Sequence, residues 1–209
     1  MHNALPVGMW SQSIGHSVAC MFCGMQETQS HCLWSCQAAQ AVWMRVLRIL
    51  RYIKFIGVLS WGQAMWSSLS RIPFSYEDSE VGVRLRIATS GVTRVFSSHV
   101  VFTASSREAL QIWELLSSTT MWFIWKARCK KVFKGSKTPP AKTVSTIWVE
   151  LVLTLRSQFE SIIGDSDVAE QRRLHFHKTW TPAPFYFQRG SAIIWNYHPP
   201  KWIFPPPIT

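Results

Sequence analysis

Cys20, Cys23, His31 and Cys36 form a C-x2-C-x7-H-x4-C run, and this spacing constrains the fold more than any other feature of the chain. A zinc ion takes four borderline or soft donors in a tetrahedron at about 2.0 to 2.3 Å. Only Met21 and Phe22 separate the first two cysteines, and Gly24 follows them. One tight turn can therefore offer both thiolates, with a glycine to accept the positive φ that such turns need. Met25 to Ser30 is mostly polar, as suits a short loop to the second ligand pair. The alternative is a set of ordinary buried thiols and a surface histidine, but four of the five cysteines fall within seventeen residues. A disulfide framework is expected less than a metal site, because no secretory leader precedes the cluster and a reducing compartment favours metal use. His31 is the favoured third ligand, with its neighbour Cys32 as the substitute. With four protein donors no position is left for a catalytic water, so the expected cofactor is a structural Zn2+.

Charge points to partners. The 209 residues carry 22 Lys and Arg against 11 Asp and Glu, a net +11, which favours polyanions, nucleic acid ahead of an anionic membrane. Gln37 to Ile56 has helical periodicity. Ala39, Val42, Trp43, Val46, Ile49, Leu50 and Ile53 fall on one side, and Arg45, Arg48, Arg51 and Lys54 spread over the other. These cations can track phosphates or simply face solvent. Alternatively, the amphipathic segment could lie on a membrane surface. No apolar run reaches the roughly 18 to 20 residues needed for a transmembrane helix.

A second helix is predicted over Ser106 to Phe133, with Trp113, Leu116, Phe123, Ile124 and Ala127 on one face and a capping signal in Ser105, Ser106 and Glu108. Its end holds Lys126, Arg128, Lys130, Lys131, Lys134 and Lys137, six cations in twelve residues. A helix C-terminus attracts some of these; Lys126, Arg128, Lys130 and Lys131 are candidate nucleic-acid contacts. Thr143 to Ile163 resumes helical spacing and is expected to pair antiparallel with the preceding helix. Between the helical parts, 57–80 reads as helix or loop around Trp61 and Trp66 ending in an acidic linker, and Val81 to Ser105 is ambiguous between strand and helix. Beyond Gly164, prolines and aromatics predict an extended or disordered tail. Most of the twelve tryptophans are expected in the core, though some could serve as stacking platforms.

The expected organisation is thus mainly α: a zinc-knuckle-like module with a basic amphipathic helix (1–56), a connecting region (57–105), a helical hairpin (106–163) and the tail (164–209). Other candidate chemistry is thin. Asp165 and Asp167 read as a polar turn, His175, His177 and His198 as solvated side chains, and Cys129 as a thiol whose pKa the flanking Arg128 and Lys130 could lower but which has no base. No phosphate loop, nucleophile elbow or zinc-protease helix is present.

The sequence from Cys20 to Trp43 resembles the zinc-binding domain that follows the polymerase in plant non-LTR, LINE-type retrotransposon reverse transcriptases. The likeness rests on C-x2-C-G, Glu27-Thr28, His31 with a following hydrophobic residue, Cys36 and Trp43 in an Ala-rich helix, with Leu5-Pro6-Val7 as a lead-in. Trp61 to Met65 and Trp122 to Arg128 are similar to the tryptophan-rich segments that follow that domain. The likeness is specific over residues 4–45, loose to 135 and absent beyond. It implies a module that holds template RNA or target DNA near a polymerase domain. The paired aspartates of polymerisation and the carboxylate cluster of ribonuclease H are missing, so no enzymatic activity is expected. The alternative is a protein-interaction or structural remnant of a retroelement polyprotein. The sequence does not choose between a nuclear and a cytoplasmic location.

Overall fold

Helix α1 starts where the ligand run stops. It spans Gln37–Tyr52 and buries Ala39, Val42, Trp43, Val46, Leu47 and Ile49, the i, i+3, i+4 stripe that its sequence prescribes. The computed structural model describes residues 19–52, 58–59, 83–89, 92–98, 106–190 and 192–204. Within them α2 spans Ser106–Lys134, α3 Pro140–Glu160 and α4 Asp167–Trp180. The described fold is mainly helical, as the periodicity predicts, with a small Cys/His cluster near its N-terminal end.

The three long helices share one core. α1 packs on both α2 and α3, and the five-residue connection 135–139 returns α3 along α2. Gly135, at φ 64°, ends α2 in a conformation that costs glycine nothing. Pro140 opens α3 in its first turn, where a missing N–H is harmless. α3 therefore begins three residues before Thr143, the start that spacing alone suggested.

Tryptophan dominates the interior. Trp34, Trp113 and Trp148 are fully buried, and ring contacts run from Trp34 to Trp43 at 4.8 Å and on to Trp113 at 6.1 Å. The Trp43 Nε1–H donates to the Leu33 carbonyl at 2.7 Å, so the indole is buried without an orphaned donor.

Val81 to Ser105, ambiguous in sequence, holds a hairpin of β2 (Val83–Thr89) and β3 (Val92–Ser98), with Thr89 opposite Val92. β1 (Val58–Leu59) runs parallel to β2. Trp61, Trp66 and the acidic linker lie outside the described residues, as do Lys54 and residues 1–18.

The predicted extended or disordered tail requires correction. Between 164 and 204 the chain forms α4, the antiparallel pair β4 (Tyr186–Arg189) and β5 (Ala192–Trp195), and a 3-10 turn at Lys201–Ile203; residues 205–209 lie outside the described residues. Ser166 caps α4 by accepting from the Ala169 N–H at 3.3 Å, and Asp167 and Glu170 occupy its first turn, where the helix dipole favours acids. Phe185 and Ile203 are fully buried. Phe185 lies 4.7 Å from the Trp148 ring, whose Nε1–H donates to the Asn196 carbonyl at 2.7 Å. The aromatics that suggested an open tail are the groups that close the bundle.

Phe185→Ala should therefore cost about 3–5 kcal/mol, the range for a buried phenylalanine, read as a lower urea midpoint. An unchanged midpoint would restore the disordered tail.

Candidate metal centre

The Cys20–Cys23 segment is a tight turn closed by two backbone bonds, from the Cys20 N–H to the Met25 carbonyl at 2.7 Å and from the Gly24 N–H to the Cys20 carbonyl at 2.8 Å. Gly24 has φ 77°, the left-handed conformation that the sequence anticipated there. Thr28 then starts the second ligand segment, its Oγ1 accepting from the His31 N–H at 3.0 Å. Residues His31–Ser35 form a single π-helical turn, with the Cys36 N–H donating to the His31 carbonyl at 2.7 Å. In an α-helix, positions five apart face about 140° from each other. The wider turn brings His31 and Cys36 to the same side.

The four donor atoms all lie within 4.8 Å of one another. Cys20 and Cys36 sulfurs are 3.7 Å apart, Cys23 and Cys36 sulfurs 4.0 Å, and Cys23 Sγ is 3.1 Å from His31 Nε2. Tetrahedral Zn–S and Zn–N bonds give donor separations of about 3.4 to 3.8 Å, so the donors fit such an ion with small adjustments. Cys20 and Cys36 are buried and Cys23 is exposed. Among the described residues this Cys3His group is the one arranged to hold a metal.

Electrostatics agree with a thiolate site. Hydrogen bonding from Cys36 draws the Cys20 thiol down to about 4, helped by the Phe22 and Cys23 amides and opposed by burial. The same bond, with burial, pushes the Cys36 thiol up, while the Ala38 and Ala39 amides at the start of α1 act to lower it. A metal that takes both sulfurs must displace any proton they hold.

Cys32 is not the substitute ligand. It is buried and is not one of the four grouped donors, and loss of solvent pushes its thiol up to about 12. Arg128 also needs correction. It is 3% exposed and its guanidinium grips the 6%-exposed Glu27 with two bonds, Nε to Oε1 at 2.8 Å and Nη2 to Oε2. Burial acts to lower the Arg128 pKa, but the hydrogen bond and charge of Glu27 outweigh it, and the net shift is upward. The guanidinium also sits 4.9 Å from the Trp125 ring. It is a core ion pair joining the ligand loop to α2, so a phosphate cannot use it. The sequence marks no role for Glu27 beyond the resemblance, but the helical phase of Arg128, four residues after Ile124 on the buried face, carries the signal for its partner.

The other cations differ in availability. The Arg45 Nη1 donates to its own helix at the Ala41 carbonyl, 2.6 Å, and its Nε is buried without a partner. Arg48 donates to the Trp202 carbonyl at 2.9 Å, so part of the basic face of α1 is covered by the tail. Arg51 falls in the last turn of α1 and Lys54 outside the described residues. Lys126 and Lys130 are exposed, and Lys131 donates to the Gly135 carbonyl at 3.4 Å. His177 Nδ1 meets the Tyr186 hydroxyl at 3.0 Å, and His175 and His198 are exposed. Asp165 reaches Arg173 at 4.0 Å. Burial raises the Cys129 pKa and outweighs the lowering by Arg128, against the expectation from its flanking cations. No described helix is long and apolar enough to cross a membrane.

A scan against protein-family models found no match, and searches of curated proteins and of solved structures likewise found none.

Two outcomes follow from this geometry. Cys36→Ser should abolish stoichiometric zinc retention while Cys32→Ala keeps it, as read by elemental analysis after gel filtration; the reverse result would make Cys32 the ligand. Glu27→Ala should destabilise the chain by about 3–5 kcal/mol, because it strands a buried guanidinium, whereas a loss under 1 kcal/mol in urea unfolding would mean the pair is solvated.

Proposed function

We propose that the chain is a non-catalytic module that binds zinc structurally and binds nucleic acid, related to the segment C-terminal to a retrotransposon reverse transcriptase. The observation that carries this reading is the closed Cys3His arrangement, in which four protein donors lie within 4.8 Å of one another. Three sulfurs and an imidazole suit zinc better than a hard cation. When bound, the ion would cross-link the Cys20–Cys23 turn to the start of α1, and structural zinc contributes about 10–16 kcal/mol to folding in small domains.

Nucleic acid is the partner class that the charge supports. The chain carries net +11, and Lys126 and Lys130 are exposed on α2. The resemblance of the Cys20 to Trp43 segment to retroelement zinc domains supports the same partner, RNA or DNA, and a neighbouring polymerase domain.

Fluorescence anisotropy of a labelled single-stranded RNA, titrated with zinc-loaded protein across a salt series, tests this. Affinity should fall steeply with salt as counterion release requires, and Cys36→Ser should bind at least tenfold more weakly. Equal weak binding by both forms would leave unspecific charge attraction, and the protein-interaction remnant would replace this reading.

A further inference from the structure

Resting on the nucleic-acid reading, we infer that the groove between the C-terminal half of α2 and the start of α3 is a binding site for a single nucleic-acid strand, with bases stacking on Trp122 and Phe133 and phosphates meeting Lys126, Lys130, Lys134 and Lys142. These α2 positions are three or four residues apart, which places them along one face of the helix. Both rings are 57% exposed. One exposed aromatic is ordinary, but two on one lysine-rich stripe call for a cover.

The groove encloses about 600 Å³, and its lining includes four lysines and no aspartate or glutamate. The Lys126 ammonium lies 5.8 Å from the Trp122 ring and 5.0 Å from the Phe123 ring. It is thus held beside a stacking surface, where a phosphate adjoining a stacked base would pass. Trp122 and Phe133 are eleven residues apart, about 16 Å along the helix, or roughly five nucleotides at about 3.4 Å each.

Charge and shape select the occupant. A second copy would bring the same +11 to a surface that already lacks acids. A duplex keeps its base faces inside the stack, so exposed rings gain little from it, whereas an unpaired strand offers a π-face with every base. A lipid surface favours a protruding apolar face, but here the lysines line a concave groove together with the rings.

The test compares a labelled 12-nucleotide oligouridine with an RNA duplex of the same length, using the full zinc-loaded chain and fluorescence anisotropy. The wild type should prefer the single strand. Trp122→Ala combined with Phe133→Ala should weaken it by about tenfold or more, since each stacked base contributes roughly 1–3 kcal/mol. Trp122→Phe should keep most of the affinity. Lys130→Ala with Lys134→Ala should reduce the log–log salt slope by about 1.4, at roughly 0.7 per phosphate contact on a single strand, and Arg172→Ala on exposed α4 should leave it unchanged. Circular dichroism and zinc content identify any variant that fails to fold; the phenylalanine and lysine variants then decide the matter. Tight wild-type binding that the ring and lysine variants retain would overturn the groove and leave the nucleic-acid reading intact. Absence of wild-type binding to either RNA would overturn both. Loss of binding to phosphatidylserine vesicles in the ring variant, with oligouridine binding untouched, would assign the groove to a lipid surface instead.

Discussion

The buried ion pair of Glu27 with Arg128 fixes the ligand loop against the helical core. Burying either charge alone costs several kcal/mol, and only a close, multiply hydrogen-bonded partner offsets it. That partner comes from 101 residues away, so the loop and α2 must meet before either charge can leave water. Cys32 is buried close enough to this pair to feel both charges, while the Trp34, Trp43 and Trp113 contacts continue the core elsewhere. The loop's position is therefore set by tertiary structure as well as by its turn.

α2 has two opposed faces, which explains its cation-rich end. At about 100° per residue, Arg128 points about 160° away from both Lys126 and Lys130. The former faces the core and neutralises an acid; the latter two face solvent. Lys131 instead reaches the Gly135 carbonyl just past the end of its own helix. A count of charges along the sequence merges three physical roles that the helical phase separates.

Local patterns were legible and long-range ones were not. The metal-ligand spacing is a short-range rule, so Cys20, Cys23, His31 and Cys36, with His31 favoured over Cys32, could be grouped from sequence, and the structure brings those four donors together. The apolar stripes of α1, α2 and α3 were equally readable, because each repeats over several turns. α4 was missed since it buries little more than Ala169, Phe176, Thr179 and Trp180, too few for a periodic signal, although Ser166 and Asp167 marked its start. The β4–β5 pair is tied to the bundle by the Trp148 Nε1–H, which donates to the Asn196 carbonyl just after β5, 48 residues away, and no local reading of a proline-rich segment contains that information. Arg128 looked like surface because an arginine is exposed by default.

The π turn at His31–Ser35 also changes what kinds of sequence variation this region can absorb. Surface connections such as 135–139 accommodate insertions at small entropic cost. Between His31 and Cys36, by contrast, removal of one residue would rotate everything downstream by about 100° relative to the imidazole, turning a sulfur away from the other donors and the stripe of α1 away from its core. Amino-acid identity there is negotiable at several positions, but the number of residues is not.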